Sequence, residues 1–78
     1  MRTLGEIAHP ACKISLFSWN QKYIVKFEQG LVEQTFKFEH LEFSGGDEEL
    51  RRRLTDDFIL NVIETFKDLH ELREKFLR

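Results

Sequence analysis

The stretch Tyr23 to Gln29 constrains this chain most, because it alternates apolar and polar residues and is flanked on both sides by segments that can pair with it. Tyr23, Val25 and Phe27 fall on one face of a strand, and Ile24, Lys26 and Glu28 on the other. With a turn at Asn20-Gln21, Leu16 lies across from Val25, Ile14 from Phe27, Phe17 from Ile24 and Lys13 from Glu28. With a second turn at Gln29-Gly30, Phe27 lies across from Val32, Tyr23 from Phe36 and Lys26 from Glu33. Apolar residues then meet apolar ones and charges meet their opposites, at about 0.2–1 kcal/mol per pair. A slip of one residue would destroy both patterns.

The prediction is a three-stranded antiparallel meander with strands at about Cys12–Ser18, Tyr23–Gln29 and Leu31–Phe38. Beyond Phe38 the alternation changes phase, and a bulge or bend near Glu39-His40 is expected. Ser44-Gly45-Gly46 ends the strand region. In the short helix that follows, Asp47, Glu48 and Glu49 each stand four residues ahead of Arg51, Arg52 and Arg53. Three ion pairs are expected there, so the arginine run is a solvated helix face before it is a nucleic-acid contact. Thr55 is a suitable N-cap for a long helix reaching about Leu77, and Asp56-Asp57 place negative charge at its positive end. Phe58, Val62 and Phe66 share one side of that helix and are expected against Tyr23, Val25 and Phe27. The fold class is α+β, ordered βββαα: a meander packed on a long C-terminal helix with a short helix before it.

Residues 1–10 contain Gly5 and Pro10 and no regular period, so a loosely ordered lead-in is expected before one domain over residues 11–78. A chain of 78 residues sits near the size at which oligomerisation begins to matter for stability. Eight phenylalanines imply either a ring-rich core or apolar surface reserved for a partner. The net charge of −2, with both signs interspersed, lacks the footprint of a duplex-DNA or anionic-membrane binder. The single Cys12 cannot form an intrachain disulfide and reads as a buried, inert thiol. No apolar run approaches the roughly 20 residues of a membrane span, and residues 1–10 lack a signal-peptide core. A cytoplasmic location is the resulting expectation.

The segments Cys12 to Tyr23, Phe27-Glu-Gln-Gly and Glu33-Gln-Thr-Phe-Lys, followed by Thr55-Asp56-Asp57-Phe58, resemble a set of short bacterial proteins of unknown function. The resemblance implies one cytoplasmic domain and no particular activity.

Catalytic and metal-binding patterns are wanting. Gly45-Gly46 lacks the Lys-Ser/Thr of a phosphate loop, and His9, Cys12 and His40 show no ligand spacing. His70 reads as a surface partner of Glu74. Ser15, Ser18, His40 and Cys12 make no local nucleophile signature. The chain is therefore expected to be non-enzymatic, without cofactor or metal, and to act as a protein-interaction or self-assembly module.

Two surfaces are expected to bind partners. On the outer sheet face Phe17, Trp19 and Ile24 form an apolar patch, covered only if Leu4 and Ile7 fold back over it. Beyond the sheet, Leu72, Phe76 and Leu77 lie on an overhanging helix end and are the expected homodimer contacts. The alternative is single-stranded nucleic acid on the outer face, stacked on its aromatic rings and held by Lys13, Lys22, Lys26 and Lys37.

Overall fold

In the computed structural model, which describes residues 1–78, the sheet has four strands rather than three. Strand β1 is Arg2–Ile7, β2 Lys13–Trp19, β3 Lys22–Gln29 and β4 Val32–Glu39, in the spatial order of the sequence and antiparallel throughout. The added strand comes from the expected lead-in. Its register with β2 shifts between Thr3 and Gly5, where Gly5 takes φ +127°. A bulge inserts one residue and so reverses the alternation. That reversal is why Leu4 and Ile7, three apart, both pack against the core.

The β2–β3 hairpin has the expected register: Ile14 with Phe27, Leu16 with Val25, Phe17 with Ile24 and Lys13 with Glu28. Its turn residues Asn20 and Gln21 have φ of 54° and 61°, as a type I′ turn requires. The β3–β4 register differs from expectation by two residues. Gly30 and Leu31 form the loop, so Gln29 pairs with Val32, Phe27 with Gln34, Val25 with Phe36 and Tyr23 with Phe38. Only Gly30, at φ 60°, is left-handed there, which matches a type II′ turn with glycine first. A Gln29-Gly30 loop of type I′ would have forced Gln29 into the left-handed region as well. The shift sets Glu28 opposite Glu33, and Lys26 relieves the repulsion, its Nζ lying 3.9 Å from Glu28 and 3.3 Å from Glu33.

After β4, where a bulge or bend is expected near Glu39-His40, the chain bends through a short 3-10 turn over His40–Glu42. Helix α1 covers Gly46–Arg53 and α2 Asp56–Leu77. Of the three ion pairs expected in α1 only Glu49–Arg53 forms, at 2.9 Å. Arg51 turns away and donates to the carbonyl oxygen of Leu4 at 2.6 Å. A Cβ on Gly5 would lie 2.9 Å from that guanidinium, so the bulge glycine also makes room for it. Thr55 caps α2 as expected, its Oγ1 accepting from the N–H of Phe58 at 3.2 Å.

The core lies between the inner sheet face and α2. Ile14, Leu16, Val25, Phe27, Leu50, Ile59, Val62 and Phe66 are buried in it. The half-buried Phe58 packs on Phe27 and Phe36, with ring centroids 6.1 and 6.0 Å away. At the other end Phe43 meets Tyr23 and Phe38 edge-on at 5.9 and 5.5 Å, and Arg53 lies over its ring at 5.3 Å.

Helix α2 runs antiparallel to β4. Phe58 sits by Phe36, the Val62 carbonyl accepts from Gln34 at 3.0 Å, and His70 Nε2 reaches Gln29 Oε1 at 2.8 Å. His70 thus ties the helix to the end of β3 instead of pairing with Glu74. By His70 the helix has reached the Gly30 turn, so its last two turns project beyond the sheet. The molecule measures 45 × 25 × 18 Å along its principal axes as a result. No helix is long and apolar enough to cross a membrane.

Candidate interaction surfaces

The projecting end of α2 continues the stripe that builds the core. Leu69 is half-buried at the sheet's margin, whereas Leu72 is 64 % exposed, Phe76 88 % and Leu77 63 %. Between this helix end and the start of β4 lies a groove of about 310 Å³, lined by Val32, Leu69, Leu72 and Phe76 with Glu33 and Arg73 at its rim. Three large apolar side chains are therefore open to solvent where the helix has run out of sheet to cover.

The outer face of the sheet is arranged in rows set by the strand register. Trp19, Lys22 and Glu39 form one row, and Thr3, Phe17, Ile24 and Lys37 the next. Glu6, Ser15, Lys26 and Thr35 follow, then Lys13, Glu28 and Glu33. Strand β1 lies beside β2 with Leu4 and Ile7 turned inward, so it extends this face and leaves it uncovered. Of the three aromatic and aliphatic residues grouped there, Trp19 is the most open at 54 % exposure, and Phe17 is half-buried. Ile24 is only 7 % exposed, set between Phe17 and Lys37 in its row.

Four lysines share the face with Glu6, Glu28, Glu33 and Glu39. Lys13 lies 3.7 Å from Glu6, and Lys26 is held between Glu28 and Glu33. Lys22 and Lys37 form no ion pair within 4 Å. Half of the lysines that could meet a phosphate backbone are thus already facing carboxylates.

The fold also brings together Ser18 and His40, which the sequence leaves far apart. Ser18 Oγ lies 3.0 Å from His40 Nε2, and the His40 ring packs on Tyr23 with centroids 4.2 Å apart. No residue of the chain hydrogen-bonds the other ring nitrogen, so the third member that orients the base in a serine nucleophile triad is missing. The His40 backbone N–H donates to the Gln21 carbonyl at 3.0 Å. Together these contacts pin the 3-10 turn to the first hairpin. Nothing in the sequence signals the pairing, because it depends on the β4 register that places His40 beside Gln21.

Cys12 is buried, and desolvation pushes its thiol pKa up, which keeps it protonated and a poor nucleophile. A hollow of about 660 Å³ next to it is lined by Glu6, His9, Lys13 and Gln29 among others. His9 Nδ1 is engaged there by the Ala11 N–H at 3.1 Å. No three His, Cys, Asp or Glu side chains are grouped so that they could hold a metal ion.

No family model, curated protein or solved structure matches the chain.

Proposed function

We propose that this chain is a small, non-enzymatic interaction module that pairs with a second copy of itself through the projecting end of α2, in the cytoplasm. One observation carries the reading: the core stripe of α2 continues past the sheet, leaving Leu72 and Phe76 exposed, where with Val32 and Leu69 they form the apolar walls of a groove. Burying such side chains is worth about 1.5–3 kcal/mol each, and a symmetric pair is the commonest way to do it. The unpaired, buried thiol of Cys12 fits a reducing compartment. The outer-face patch of Trp19 and Phe17 is the second binding surface in this reading, suited to a further protein because a half-open Trp is a favoured interface anchor.

Light scattering on the wild-type chain and on Phe76→Asp tests this. A dimer mass that becomes a monomer mass in the variant supports it, and a wild-type monomer at high micromolar concentration rejects it. The nucleic-acid alternative is tested by an oligonucleotide titration. Binding that fades with added salt and is lost when Lys22 and Lys37 are both changed to Ala would favour that alternative.

A further inference from the structure

The two edges of the sheet are built differently. Strand β1 is short and bulged, and Arg51 occupies the Leu4 carbonyl, so that edge is spoiled for pairing. Strand β4 has eight residues, no glycine, no proline and an unbroken register with β3. Because Gln29 and Val32 close a two-residue hairpin, they form a hydrogen-bonded pair, and alternate pairs along the ladder do the same. Gln34, Phe36 and Phe38 accordingly bond back to β3. Glu33, Thr35, Lys37 and Glu39 turn their N–H and C=O groups to the open side. Glu39 fits this pattern: its N–H is taken by Glu42 Oε2 at 2.9 Å. No bond within the chain reaches the N–H of Glu33, Thr35 or Lys37 across that edge.

We infer that β4 pairs antiparallel with β4 of a second copy, with the two-fold axis at Thr35, so that the two sheets join into one. This rests on the self-association reading above and gives it a geometry. Side-chain parity and hydrogen-bond phase restrict the axis to a β4 residue rather than a point between two. Centred on Thr35, Glu33 lies across from Lys37 of the second copy, and Lys37 from its Glu33. On the inner face Val32 meets Phe38 of the second copy, and Gln34 meets Phe36. An axis at Phe36 would set Glu33 against Glu39, and one at Lys37 would set two lysines together, so charge complementarity selects Thr35.

The half-buried inner rings of β4 support the same register. Phe36 and Phe38 stack with an interplanar angle of 12° and centroids 6.5 Å apart at the sheet margin, where the chain itself leaves them partly uncovered. In the paired sheet Phe38 of the second copy falls beside Val32, a wall of the groove under Leu72 and Phe76. The projecting helix end of each copy then closes over the rings of the other, and the two exposed features become one interface.

A charge-swap experiment on the full chain tests the register. Glu33→Lys places two lysine–lysine pairs across the axis, and Lys37→Glu two glutamate–glutamate pairs. Each should weaken self-association about tenfold or more. An equimolar mixture of the two variants restores both opposite-charge pairs and should recover the wild-type mass in light scattering, which also shows that both variants fold. In parallel, the amides of Glu33, Thr35 and Lys37 should exchange with solvent more slowly in the wild-type dimer than in monomeric Phe76→Asp. If both charge variants dimerise like wild type while Phe76→Asp does not, the helix end self-associates without strand pairing, and this inference falls while the reading above stands. Unchanged exchange at those amides overturns it equally. A wild-type chain that stays monomeric overturns both.

Discussion

The guanidinium of Arg51 donates to the backbone carbonyl of Leu4 at 2.6 Å, across 47 positions of sequence. It is the side-chain bond that holds the first strand to the first helix, and the glycine next to its acceptor is the one residue that leaves room for it. Arg51→Ala should lower stability by about 1.5–3 kcal/mol, the range for a hydrogen bond to a charged group. Amide exchange would locate the loss: the β1 amides should speed up while those at the centre of β3 remain slow.

Core position and overhang should separate cleanly by mutation. Phe27 and Phe66 are fully buried, and replacing either by Ala should cost about 3–5 kcal/mol in urea denaturation. Phe76→Ala, measured under conditions where the chain is monomeric, should cost under about 0.5 kcal/mol. A large loss at Phe76 in the monomer would mean that the helix end folds back on its own sheet.

The N-cap of α2 can be tested on its own. Thr55→Ala should destabilise by about 1 kcal/mol, whereas Thr55→Ser or Thr55→Asp should stay close to wild type. Thermal unfolding of the variants under one buffer condition would rank them. Equal values for Ala and Ser would show that the hydroxyl contributes nothing.

Glu49 gives the acid limb of the stability curve a defined component. The Gly45 N–H bonded to its carboxylate at 2.8 Å, with Arg53 and Arg52 nearby, holds its pKa below the ordinary value of 4.5. The unfolded chain therefore binds this proton first as pH falls. Stability from the interaction is complete only well above the unfolded value of 4.5, begins to fall as pH approaches that value, and is lost as pH drops through the lower, folded value. In Glu49→Gln that component should vanish, so the stability difference between the two proteins should narrow below pH 4.5 and be constant above pH 6. A difference that does not change with pH would assign Glu49 a packing role only.

What could be read from the sequence follows from where periodicity survives. The β2–β3 hairpin was legible to the residue because its alternation is unbroken and both of its faces carry complementary pairs. The register of β4 was not, since a shift by two leaves every side chain on its own face and only the turn chemistry of Gly30 distinguishes the alternatives. Strand β1 was hidden by its own bulge: Leu4 and Ile7 are out of step in sequence and in step in space, and Gly5 looks like a breaker. The spacing of Asp47 and Arg51 points to an ion pair, whereas the actual acceptor of Arg51 is a distant backbone carbonyl, which no side-chain pattern reveals. Among the candidate surfaces, the projecting helix end is legible because a helix of 22 residues, at about 1.5 Å per residue, outruns strands of seven or eight residues. The Ser18–His40 contact depended on β4 pairing and could not be foreseen.

The helix that outruns its sheet also governs how this molecule moves through solution. With a long axis of 45 Å against 25 and 18 Å, a 9.4 kDa monomer will tumble faster about its long axis than end over end, and its frictional coefficient will exceed that of a sphere of equal mass. It should elute early from a sizing column and mimic something heavier. Pairing along β4 would set two such rods side by side, giving a squatter particle whose retention shifts less than its doubled mass suggests. Mass read from scattered light will therefore diverge from mass read by elution, and the direction of that divergence is itself a signature of how the copies are joined.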